Sequence, residues 1–268
     1  MTTATLVGSE VPRPSTPPAR ELTPDTTRGF ECIAFAEDVV GITLMPWQRW
    51  LLLHLLELAD DGTFRFRTGL VITSRQAGKL TLLQVLALWR MYVDGAPLVL
   101  GSAQNLALAE ETWSGALSMA EAVPELAVEV AQVSRTNGDK FMRLTTGERY
   151  KVAAATRSGS RGLSSDLVLL DELREHRDWD AWGSATKTTL ARPSPQVLCF
   201  SNAGDRTSVV LHDLRERALD GAADRSTRVG IFEWSAPYGC ELDDRQPWAQ
   251  ANPALGVLTG QGDCPDFG

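Results

Sequence analysis

The sequence predicts an α/β fold with a mostly parallel central sheet flanked by helices, and two observations lead there. Short, continuous apolar runs bounded by turn residues, TGLVIT at 68–73, PLVLGSA at 97–103, DLVLLDE at 166–172 and QVLCFSN at 196–202, have the length of strands buried on both faces. Stretches of helical spacing, KLTLLQVLALWRMYV at 79–93 and QNLALAEETWSGALSMAEAV at 104–123, follow the first two runs. Strand, helix, strand in that order requires a crossover and therefore parallel pairing. A chain of 268 residues, 43% of them apolar, has material for one large domain of this kind or two small ones.

In chain order, residues 1–27 hold Pro12, Pro14, Pro17, Pro18 and Pro24 among Ser, Thr and Glu, and are expected to form a disordered tail. Phe30 to Val40 has helical spacing, and LMPWQRWLLLHLLELAD at 44–60 reads as one helix with Pro46 in its first turn and Gly62 closing it. After the two strand–helix pairs comes a short meander, with turns at TNGD and TTGE between KFMRL and RYKVAAA. TRVGIFEW at 227–234 is a further strand. One domain is expected over residues 28–260, with 261–268 as its carboxyl-terminal end.

Composition narrows the function. A formal net charge of −8 argues against a compact basic DNA-binding domain, though not against a ring of subunits that grips DNA with a few local arginines. No apolar run approaches the roughly 20 residues of a membrane span, and the amino terminus lacks a basic region followed by an apolar one, so the cytoplasm is the expected location. Cys32, Cys199, Cys240 and Cys264 form no C-x-x-C pair, and His54, His176 and His212 are scattered, which favours reduced thiols over a zinc site.

The chemistry starts at TSRQAGKLT, residues 73–81, between a predicted strand and a predicted helix. A phosphate-binding loop reads G-x-x-x-x-G-K-[ST]; here Thr73 stands at the first Gly and Leu80 at the hydroxyl residue. A triphosphate is held where backbone N–H groups converge at a helix N-terminus with an ammonium close by, and Lys79 fits that ammonium. Gly78 allows close backbone approach, and Arg75 adds a second cation. An ordinary strand-to-helix turn with solvated Arg and Lys is the plainer alternative. The second signal is DLVLLDE, which puts Asp171 and Glu172 at the carboxyl end of a buried strand, where ligands of open α/β sheets bind. Asp171 would hold magnesium, and Glu172 would orient and deprotonate a water. Acidic residues also favour helix starts. The two signals in this order, about 90 residues apart, favour a nucleotide site and a P-loop NTPase-like fold.

These residues resemble the ATPase motor of the large terminase subunit of tailed bacteriophages. That family's variant loop commonly lacks the first Gly and reads S-R-Q-x-G-K, which Ser74 to Lys79 match in full. MPWQRW upstream, LVLLDE, SNAG at 201–204 and WAQANPALG at 248–256 follow in family order, over roughly residues 28–260. The resemblance implies ATP and Mg2+ as ligands, with Ser74, Arg75, Gln76, Ala77, Gly78, Lys79, Leu80 and Thr81 around the nucleotide. It implies that Gln48 hydrogen-bonds adenine, and that Ser201 and Asn202 couple γ-phosphate sensing to DNA movement. It gives Arg161, with Arg157 as a rival, as an arginine finger reaching a neighbouring subunit's ATP. Double-stranded DNA, the viral portal and the small terminase subunit are the implied partners, a homo-oligomeric ring the implied assembly, and the host cytoplasm the implied place. Leu80 departs from the pattern: Thr81, about 100° further round the helix, or a water would replace the metal-binding hydroxyl. Family members also carry an RNase H-like nuclease, and with the sequence stopping at Gly268 no DNA cleavage is expected from this polypeptide. Two other readings stand beside this one: a nucleotide-binding assembly module that does not hydrolyse, and a helicase-like ATPase that remodels other nucleic acid.

Overall fold

Strands with apolar side chains on both faces are stable only between two layers of helices, and the chain builds that sandwich. The computed structural model describes residues 6–103, 105–154, 162–241 and 243–257. Its strands are β1 (Thr68–Ile72), β2 (Leu98–Ala103), β3 (Val130–Thr136), β4 (Asp139–Leu144), β5 (Arg149–Val152), β6 (Leu167–Asp171), β7 (Gln196–Ser201) and β8 (Val229–Glu233). Its helices are α1 (Gly29–Ala34), which runs on into a π-helical turn over Phe35–Val39, α2 (Pro46–Leu55), α3 (Lys79–Tyr92), α4 (Leu106–Ala122), α5 (Pro124–Ala127), α6 (Trp179–Lys187), α7 (Val209–Asp220) and α8 (Arg245–Ala251).

All eight strands join one sheet in the order β3-β4-β5-β2-β6-β7-β1-β8. From β5 to β8 every pairing is parallel, while β3, β4 and β5 form the antiparallel meander at one edge. This is the mostly parallel α/β sheet that the apolar runs predict. One face packs against α1 to α4 through buried Trp47, Leu51, Leu82, Leu86 and Trp89; the other packs Val210, Leu211 and Leu214 of α7 against Leu70, Val168, Leu170 and Cys199. Each such side chain contributes about 1.5–3 kcal/mol by leaving water.

For function, the decisive feature is that β7 lies between β1 and β6. Ile72 is in register with Ser201, and Leu170 with Cys199, so the carboxyl ends of the three strands are level. With neighbouring strands about 4.8 Å apart, whatever follows β1 and β6 is separated by roughly 10 Å, within reach of long side chains.

Two expectations are corrected. Helix α2 ends at Leu55 instead of running to residue 60, because Glu57 and Leu58 enter bridges with Thr27 and Phe64. Residues 6–27, expected to stay unpacked, lie against the domain, and residues 13–16 among them run along the outer edge of β8. Arg13 N–H donates to the Glu233 carbonyl at 3.0 Å, Glu233 N–H to Pro14 at 2.9 Å, and Thr16 N–H to Ile231 at 2.8 Å. Polar, proline-rich composition speaks against burying side chains, but this segment is held through its backbone, and proline tolerates an edge position.

A buried ion pair fastens the same segment. Arg65 Nη1 meets Glu57 Oε2 at 2.7 Å, with side chains only 3% and 1% exposed. Arg65 also donates to the Pro17 carbonyl, and Glu57 accepts from the Ala19 N–H. Arg65→Ala leaves a buried carboxylate without its cation and is expected to destabilise the protein by about 3–5 kcal/mol. Urea unfolding measures the loss, and the amides of residues 13–19 should exchange faster in the variant.

Candidate active site

Thr73 continues the sheet ladder, its N–H donating to the Ser201 carbonyl at 3.1 Å. The first P-loop position therefore lies in extended backbone and needs no glycine. Left-handed backbone occurs further on, at Gln76 (φ 56°) and Gly78 (φ 89°). Gly78 is the N-cap of α3 and offers no side-chain cap, leaving the first-turn amides for a ligand.

A Cβ on Gly78 would collide with the Met45 methyl and crowd the Gln48 amide. Together with the left-handed φ, this predicts that Gly78→Ala costs about 1–2 kcal/mol and displaces the loop. The Tm should fall and nucleotide affinity should drop with it.

Gln48 is 1% exposed, and its Oε1 accepts from Met45 N–H at 2.8 Å while its Nε2 donates to the Gly78 carbonyl at 2.9 Å. In this arrangement it is a strut between α2 and the turn that opens α3. Each amide atom makes one bond here, while a glutamine amide has two acceptor sites and two donors.

At the end of β6, Asp171 is half-buried, and burial raises its pKa despite the opposing pull of the Lys79 ammonium. Its Oδ1 accepts the Glu172 N–H at 2.9 Å. Glu172 itself sits in left-handed backbone (φ 51°, ψ 51°), costly for a residue with a Cβ, and begins a 3₁₀ turn over Leu173–Glu175. Lys79 Nζ lies 3.2 Å from Glu172 Oε1 and also donates to Asn202 Oδ1, at the end of β7. Asn202 Nδ2 in turn is 3.4 Å from Glu172 Oε1. Residues 79, 172 and 202, distant in sequence, thus share one contact because β7 separates β1 from β6.

They line a cleft of about 480 Å³ with Arg75, Gln76, Asn105, Leu108, Arg174 and Glu175. Of the other sequence-predicted residues, Ala77 is buried in the core, Ser74, Leu80 and Thr81 are half-buried, and Ser201 is buried with its Oγ accepting the Arg174 N–H at 3.0 Å. Arg161 and its rival Arg157 lie outside the described residues. Sequence reasoning missed four members of the cleft, Asn105, Leu108, Arg174 and Glu175. Asn105 is the N-cap of α4. Arg174 donates from Nε to Glu172 Oε2 at 2.8 Å, and its only signal in the sequence is its place two residues after Glu172.

No family model matches the chain. The large terminase subunit of Enterobacteria phage HK97 is 24% identical over 254 residues, covering 88% of this chain and 48% of that protein. The crystal structure of the HK97 large terminase superposes with a TM-score of 0.75 at 24% identity, over 88% of this chain and 50% of that one. The large terminase ATPase domain of Thermus phage P74-26 gives a TM-score of 0.51 at 16% identity, over 66% and 71% of the two chains. This chain spans about half the length of the curated relative it matches. In sequence and in fold together, the chain is a protein like the ATPase of the terminase large subunit.

Proposed function

We propose that the chain binds ATP with magnesium in this cleft, hydrolyses it, and uses the turnover to move double-stranded DNA into a viral procapsid. The observation that carries the reading is the meeting of Lys79, Asn202 and Glu172 at the carboxyl edge of the sheet, with the Lys79 ammonium 3.2 Å from the Glu172 carboxylate. An ammonium and an acid placed so close at the mouth of a phosphate-binding turn suit one triphosphate and the water that attacks it.

On this reading Lys79 and the first-turn amides of α3 neutralise the phosphate oxygens. Glu172 accepts the proton of the attacking water. Asn202 and Ser201, one strand over, sense the γ-phosphate and couple its loss to DNA movement. Asp171 is the carboxylate that would hold magnesium, with Thr81 or a water in place of the hydroxyl that Leu80 lacks. Among the described residues no group of three His, Cys, Asp or Glu converges on a metal position. A single carboxylate such as Asp171 would suit an ion such as magnesium, which binds through one or two carboxylates and substrate phosphates rather than in a protein cage. When bound, magnesium supplies charge neutralisation on the phosphates. Arg161 of a neighbouring copy in a homo-oligomeric ring would complete the site, with the portal and small terminase subunit as partners in the host cytoplasm. The reading assigns these residues no DNA cleavage.

Phosphate release, measured with and without portal and DNA, tests this reading. Turnover stimulated by double-stranded DNA and portal is the expected result. Tight ATP binding without turnover would favour the assembly module, and stimulation by single strands or RNA instead would favour the remodelling ATPase.

A further inference from the structure

Both oxygens of the Glu172 carboxylate are held, from opposite sides. Oε1 faces Lys79 at 3.2 Å and Asn202 at 3.4 Å; Oε2 takes the Nε donor of Arg174 at 2.8 Å. A bound triphosphate carries about four negative charges and competes for the Lys79 ammonium. Asn202 is tied to the same lysine. Once Lys79 turns to phosphate, the Oε1 side loses its main donor while the Oε2 side is unaffected.

We propose that Arg174 is a positioning residue for Glu172, keeping the carboxylate aimed into the cleft when nucleotide has drawn Lys79 away. The inference rests on the reading of Glu172 as the base under the proposed function. Arg174 is well placed for it. Its backbone N–H is anchored to Ser201 Oγ at 3.0 Å, and its Nη2 meets Glu175 Oε1 at 3.2 Å, so main chain and guanidinium each have a hold apart from Glu172. Glu172 needs such a fixture, because its left-handed backbone is not the conformation a glutamate adopts unaided. A planar guanidinium fixes direction as well as charge, which a lysine ammonium does only in part.

The test uses Arg174→Ala and Arg174→Lys in the full chain, each also combined with Glu172→Gln. Arg174→Ala is expected to lower kcat by about 10- to 100-fold, by analogy with the loss of partners that orient the ligands of a metal. The ATP KM should stay within about threefold, Arg174→Lys should fall between the two, and in the Glu172→Gln background the alanine change should have little further effect. A raised KM with unchanged kcat would make Arg174 a phosphate ligand and overturn the proposal. So would equal losses in both backgrounds. Tm values of the nucleotide-free variants supply a readout independent of turnover: the effects of Arg174→Ala and Glu172→Gln should be less than additive, and additive effects would overturn the pairing. Absence of turnover in the unmutated chain would instead count against the proposed function itself.

Discussion

Lys79→Ala is expected to reduce ATP turnover by about 10²–10³-fold, the scale of losing one preorganised group that stabilises developing charge. Three cations among the described residues line the cleft, and they are not equivalent. Arg75 is exposed, and Arg174 is paired with Glu172 and Glu175. Lys79 alone springs from the first residue of α3, where the amides converge, and its side chain is only 10% exposed. Losing it therefore removes affinity as well as rate. The folded state should lose little, since Glu172 keeps its bond to Arg174. Titration calorimetry with ATP, phosphate release and a melting curve together separate this outcome from simple unfolding.

Glu172→Gln is expected to leave ATP binding intact and lower turnover by about 10²–10⁴-fold, the contribution of a positioned general base. The amide matches the carboxylate in shape, and its Oε1 can still accept from Lys79. It cannot take a proton from water. Because Asp171 is untouched, magnesium-dependent binding should persist, and ATP should accumulate on the protein unhydrolysed. A rate within a factor of about two of the unmutated chain would remove Glu172 from the chemistry.

Much of the sheet was legible because its strands are buried on both faces: LVLL before Asp171 and the run of β7 leave no other place for those side chains. Strand order was not legible. Periodicity says nothing about β7 entering between β1 and β6, and that insertion is what brings Asn202 to Lys79. Contacts made by backbone were hidden for a related reason, as residues 13–16 show: their side chains carry no packing signal, yet their backbone groups complete the edge of β8. Overreach came from apolar content, which extended α2 through residue 60 although Glu57 is drawn into its pair with Arg65. α6 is short, and its nine residues, with Gly183 and Ser184 at the middle, carry only two large apolar side chains, Trp179 and Trp182. Of the cleft residues, Lys79 and Glu172 could be named from their places after strand ends. Arg174 could not, because its role depends on the 3₁₀ turn that folds it back onto Glu172.

The most direct measurement is a crystal structure of the chain with magnesium and a non-hydrolysable ATP analogue. The account predicts Lys79 Nζ within about 3 Å of the β- and γ-phosphate oxygens, Asp171 on the metal side, and Glu172 within one water of the γ-phosphate. A nucleotide bound away from the α3 N-terminus, or Lys79 still paired with Glu172 while the triphosphate sits elsewhere, would contradict it.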